Sequence, residues 1–180
     1  MRKQLVLTAS GRDRPGVLEE VTRIIVQHGG NVETSRFQRL GGDFALIMFV
    51  TAPQDRIENL RDVIGELHFV KFDVQARLSE ATEPQEAASS TECAITVLGA
   101  DHLGIIHEVT RYLSEQGINV ETMTTEVTAA PMSGTPLFSM SAVVRVPAKL
   151  SLDDLGEALD YIGDELSVDA QLFSEESRRT

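Results

Sequence analysis

Asp13-Arg-Pro-Gly-Val-Leu-Glu-Glu-Val-Thr-Arg23, followed by Gly29-Gly-Asn-Val-Glu-Thr34, returns later in the chain as Asp101-His-Leu-Gly-Ile-Ile-His-Glu-Val-Thr-Arg111 and Gly117-Ile-Asn-Val-Glu-Thr122. Every pair in this register is 88 positions apart, Asp13 with Asp101 and Thr34 with Thr122, so the chain is a duplication. That period exceeds the roughly 20–50 residues of a solenoid repeat and suits a small domain with its own core. Phe44 to Pro53 then matches Phe138 to Pro147 at an offset of 94, which places an insertion in the second copy. The first copy turns on Gly41-Gly42, a tight hairpin signal, whereas the second uses Thr128 to Thr135, broken by Pro131 and Gly134.

Within each copy the hydrophobic period switches between two and 3.6. Lys3 to Ala9 reads as a strand ending at Ser10-Gly11, and Val17, Leu18, Val21, Ile24 and Ile25 recur at helical spacing, as do Ile105, Ile106, Val109, Tyr112 and Leu113. Asp13 and Asp101 are expected to cap these helices, and Gly29 and Gly117 to end them in left-handed conformation. Val32 to Leu40 and Asp43 to Thr51 read as a hairpin. Pro53 introduces a second helix with Ile57, Leu60, Ile64 and Leu67 on one face. Its counterpart starts at Ser151, with Asp154 as capping partner, and buries Leu152, Leu155, Leu159 and Ile162. Val70, Phe72, Val74, Ala76 and Leu78 alternate as a last strand. Each copy is thus predicted to be βαββαβ, a ferredoxin-like α+β unit with an antiparallel four-stranded sheet and two helices on one face. The first unit is expected over 1–78, a Glu-, Ala- and Ser-rich linker over 79–91, the second unit over 92–175 and a tail over 176–180.

Charge and composition exclude several functions. With 42% hydrophobic residues the chain has enough apolar material for two small cores, each of marginal size, so the copies are expected to pair within the chain or as a homodimer. A net charge of −12 opposes direct binding to nucleic acid, whose affinity rests on Lys and Arg displacing counterions. Cys93 has no second cysteine to join and reads as a small core residue. The apolar stretch Leu5 to Leu7 is too short for a signal core or a membrane span, so the protein is expected in the cytoplasm. His102, His107 and Glu108 lack the i, i+4 histidine spacing of a helical zinc site. Glu83 to Glu92 and Glu175-Glu176 read as solvated linker and tail. No set of acid, base and nucleophile converges, so no enzyme, metal or cofactor is expected.

The unit DRPGVLEEVTRIIVQHGGNVET closely resembles the opening strand, loop, helix and strand of ACT domains, and DHLGIIHEVTRYLSEQGINVET resembles it again. Two such units with no catalytic domain attached are similar to the glycine cleavage system transcriptional repressor group. The resemblance implies a ligand-binding module that holds a small amino acid, of glycine or serine type, between two domains, at this loop and an Asn-bearing region. Carried onto this sequence, the ligand-binding residues would be Asp13, Arg14, Pro15, Gly16, Val17, Leu18, Asn31 and Val32 in the first copy. In the second they would be Asp101, His102, Leu103, Gly104, Ile105, Asn119 and Val120.

Local chemistry supports that role. The first amides of a helix lack intrahelical acceptors and carry partial positive charge, which suits a carboxylate, and glycine lets a ligand approach the backbone. Asn31 and Asn119 offer a donor and an acceptor to a zwitterion. The same residues also have structural readings, Asp13 as a cap and Asn31 as a residue tolerant of left-handed backbone. His102 and Leu103 replace Arg14 and Pro15, leaving the second loop to bind another ligand, bind more weakly or serve as scaffold. A bulky residue at Gly16 is therefore expected to harm binding more than one at Gly104. The leading functional class is an amino-acid sensor acting on a protein partner such as a transcriptional regulator. The alternative is a free-standing regulatory subunit of an amino-acid metabolic enzyme. RNA-binding domains share the βαββαβ order, but the central strands lack paired aromatics and the charge is acidic.

Overall fold

A computed structural model describes residues 1–66, 72–79 and 90–174, which form two compact units, Met1–Glu83 and Pro84–Thr180. Leu67, Val70, most of the expected linker and the tail lie outside the described residues. The first unit runs β1 (Arg2–Arg12), α1 (Val17–Gln27), β2 (Asn31–Leu40), β3 (Asp43–Pro53), α2 (Ile57–Glu66) and β4 (Asp73–Ser79). The second repeats it as β5 (Ser90–Ala100), α3 (Ile105–Glu115), β6 (Asn119–Ala129), β7 (Pro136–Pro147), α4 (Leu152–Leu166) and β8 (Val168–Ser174). Strand orders are β2-β3-β1-β4 and β6-β7-β5-β8, and every neighbouring pair is antiparallel. Both units have the expected ferredoxin-like α+β fold.

Alternation along the strands decides which face is covered. Leu5, Leu7 and Ala9 of β1 are buried with Phe44, Leu46, Met48 and Val50 of β3, and α1 lays Val17, Val21 and Ile25 on them while α2 adds Ile57, Leu60 and Ile64. In the second unit Ile95 and Val97 meet Met140, Ala142 and Val144 under Ile105, Val109 and Leu113 of α3 and Leu155 and Leu159 of α4. Cys93 belongs to this core, where burial pushes its thiol above the ordinary range. Leu18 and Ile106, one residue past the buried helix starts, are about 40% exposed.

Helix exits follow one motif in both copies. The amides of Gly29 and Gly30 donate to Val26 and Ile25, those of Gly117 and Ile118 to Ser114 and Leu113, the Schellman pattern with glycine in left-handed conformation. Ser151 accepts from the Asp154 amide at 3.3 Å, the cap expected for α4.

The helix entries differ from expectation. Asp13 and Asp101 cap nothing: the N-cap residues are Gly16 (φ 93°) and Gly104 (φ 101°), and neither entry carries a side-chain cap. Pro15 accordingly sits in the turn before α1. β1 also continues past Ser10-Gly11 to Arg12, because Gly11 and Arg12 pair with Phe44 and Asp43 of the hairpin. Gly11 is there for space, since a Cβ would stand 2.9 Å from Cβ of Phe72; at the matching Gly99 it would stand 2.6 Å from Val168. β5 begins at Ser90, so the end of the expected linker is strand.

Candidate functional site

The loop between β5 and α3 forms one wall of a cavity of ≈ 540 Å3. Asp101, His102, Leu103, Gly104 and Ile105, all singled out from the sequence, line it. The remaining lining comes from Ile106 and His107 at the start of α3 and from Thr125, Glu126, Val127 and Phe138 across the end of the sheet. Strand register explains the opposite wall: Val127 pairs with Phe138 and Thr125 with Met140, so Thr125 and Val127 share the helix-covered face with Phe138 at its uncovered end. Leu103 is almost fully exposed at the rim.

His102 is the brace of this loop. Its Nδ1 lies 3.1 Å from the Leu103 carbonyl oxygen and its Nε2 2.7 Å from that of Leu166, at the end of α4. Only the doubly protonated ring donates to both, and the Leu103 carbonyl first, then that of Leu166 and, against an opposing desolvation, Asp101 hold the ring's pKa above its ordinary 6.5. The folded pKa being raised, this contribution to stability is complete below the unfolded value and fades as pH rises through the folded one. An NMR titration is expected to show the His102 ring protonating above pH 6.5; a midpoint at or below 6.5 would contradict the double contact.

The first copy presents different chemistry at the matching loop. Arg39, whose place Val127 takes, forms a 2.9 Å ion pair with Asp13. Arg14 pairs with Glu20 at 2.9 Å, and Phe37, whose place Thr125 takes, stacks on Phe44 at 5.8 Å between ring centroids. Phe72 meets the same Phe44 ring edge-on at 5.7 Å. Because His102 replaces Arg14, Glu108 turns instead to Arg111 at 2.7 Å. Gly16 has open space around the position of a Cβ, as Gly104 does. A separate depression of ≈ 490 Å3 lies on the outer sheet face of this unit, lined by residues such as Thr8, Arg36 and Gln75.

The asparagines stand elsewhere. Asn31 and Asn119 open β2 and β6 after the helices, paired with Thr51 and Arg145, whereas the loops precede the helices. Eleven helical residues, about 16 Å of rise, separate the two ends within a unit. Neither unit brings its own loop and asparagine together. Both copies have a β-bulge next to this asparagine, with Glu33 and Glu121 as the extra residues after Val32 and Val120. Glu33 accepts from Asn31 at 3.0 Å and Thr51 at 2.8 Å, which lowers its pKa. Arg2 closes this cluster by donating to the Thr51 carbonyl at 2.8 Å.

Residues 3–78 match the sequence model of the ACT domain. The first unit is an ACT domain, and the second repeats its fold. Over 168 residues the chain is 22% identical to a glycine cleavage system transcriptional repressor of Escherichia coli K12, covering 93% of this chain and 88% of that one. A crystal structure of a protein of unknown function from Galdieria sulphuraria superposes with a TM-score of 0.84 at 28% identity, over 97% of this chain and 99% of the other. A candidate glycine cleavage system transcriptional repressor shares the fold, with a TM-score of 0.63 at 24% identity over 96% of each chain. The chain, one ACT domain followed by a second unit of the same fold, is thus similar to that repressor over nearly its whole length. Among the described residues no helix is long and apolar enough to cross a membrane.

Proposed function

We propose that this protein is a non-enzymatic sensor that binds a small amino acid, of glycine or serine type, and acts through a protein partner. The process controlled would be transcription of glycine cleavage or related amino-acid metabolism. The observation that carries the reading is the cavity at the β5–α3 loop, formed by the segment whose resemblance to ACT domains implies ligand contact. Its chemistry suits a zwitterion. Asp101 offers an acceptor for an ammonium group, the uncapped α3 entry offers amides for a carboxylate, and Ile106, Val127 and Phe138 offer apolar walls. Asn119 opens β6 at the far end of α3 from the loop and does not line this cavity.

The net charge of −12 supports action through protein rather than DNA. Amino-acid binding would change the affinity for the partner, and linkage requires the partner to change ligand affinity by the same factor. The test is a gel shift of the purified chain on duplex DNA at moderate salt, beside titrations of a DNA-binding activator of glycine cleavage genes with and without glycine or serine. No shift by the chain alone and ligand-dependent binding to the activator are expected. Tight, sequence-specific DNA binding by the chain alone would overturn the reading.

A further inference from the structure

We propose that the two loops have divided their roles: the second is the amino-acid receptor, and the first is filled by its own side chains. This rests on the sensor reading above and deepens it. The duplication makes the comparison internal, because each wall of the second cavity has an aligned residue in the first copy. Asp101 and Val127 stand on opposite walls of the cavity, and the residues in their places, Asp13 and Arg39, are joined by a 2.9 Å ion pair. Thr125 and Phe138 line the same cavity, and the residues in their places, Phe37 and Phe44, are stacked with planes 13° apart.

The two substitutions act in the same direction. A phenyl ring in place of a threonine adds bulk at one lining position, and a guanidinium in place of valine at another reaches the loop aspartate. The ion pair also engages the aspartate whose counterpart, Asp101, lines the second cavity. An amino acid entering the first loop would have to displace an aromatic contact and compete with Arg39 for Asp13. At the second loop it meets a short threonine, a valine and an aspartate that line open space. Preorganised space of this kind favours binding because no internal contact has to be broken first. The ligand class is a small α-amino acid zwitterion, held at Asp101 and the α3 entry with its hydrocarbon part toward Val127 and Phe138.

Amide NMR spectra of the intact chain, titrated with glycine and with L-serine, test the division. Saturable shifts are expected at residues 101–107 and 125–127. In Val127→Arg, which copies the first loop's ion pair, the apparent Kd is expected to rise at least about tenfold. The converse double variant, Phe37→Thr with Arg39→Val, is expected to add saturable shifts at residues 13–18, a gain that loss of folding cannot mimic. Wild-type shifts at 13–18, alone or beside those at 101–107, would overturn the division and leave the sensor reading standing. Shifts at neither loop with either amino acid would overturn both. A double variant that folds and gains nothing at 13–18 would also count against the division.

Discussion

Leu159→Ala is expected to destabilise the second unit by about 2–5 kcal/mol, the usual range for removing a fully buried leucine. Leu159 is 0% exposed on α4 and lies in the same core as Ile95, Val144 and Val109, so truncation leaves a cavity between helix and sheet that a twice-anchored helix cannot close. The anchors are the Ser151 cap at its start and the His102 contact at its last carbonyl. In urea the midpoint of the second unit should fall with an unchanged slope, because the native surface is the same. A loss below about 1 kcal/mol would mean that α4 does not pack as described.

Gly104→Val is expected to reduce amino-acid binding at least about tenfold, while Gly16→Val leaves it nearly unchanged. Both glycines hold left-handed backbone at a helix entry, with φ 101° and 93°. A β-branched residue there costs on the order of 1–3 kcal/mol of strain and shifts the entry amides. No neighbour lies within 4 Å of either Cβ position, so the stability cost comes from the backbone alone and should be similar in both variants. What separates them is the cavity, which Gly104 lines. Calorimetry on the two variants reads the difference, and equal binding losses would contradict it. This order reverses what residue types at the loop imply, where Pro15 and Arg14 make the first copy look the better receptor.

The reversal shows where sequence stops being legible. The repeat, the alternation of Leu5, Leu7 and Ala9 and the helical spacing of Val17, Val21 and Ile25 carry the fold, because each is a local pattern that one buried face imposes. The Gly29 and Gly117 exits are equally local. The helix entries are not: Asp13 precedes Gly16 by three residues, and nothing in the one-dimensional pattern says that the glycine, not the aspartate, occupies the cap. Gly11 illustrates the same limit, since it reads as a terminator until the approach of Phe72, the residue before β4, is known. The far wall of the cavity needs strand register, which brings Thr125, Val127 and Phe138 beside a loop more than 20 positions earlier in sequence. A signal was present in the exchanges Phe37 for Thr125 and Arg39 for Val127 between aligned copies. It gains meaning only once Arg39 is known to reach Asp13, and Thr125 and Val127 to line one cavity with Asp101.

The most direct measurement of the sensor reading is a thermal-shift comparison of the purified intact chain with each of the twenty amino acids. A ligand that binds only the folded state raises stability by RT ln(1 + [L]/Kd), about 2.7 kcal/mol at a hundredfold excess over Kd. Glycine or serine is expected to raise the melting temperature in a saturable, concentration-dependent way, and Val127→Arg to shift that rise to at least about tenfold higher ligand concentration. No concentration-dependent shift with any of the twenty would contradict the proposal that this protein senses an amino acid.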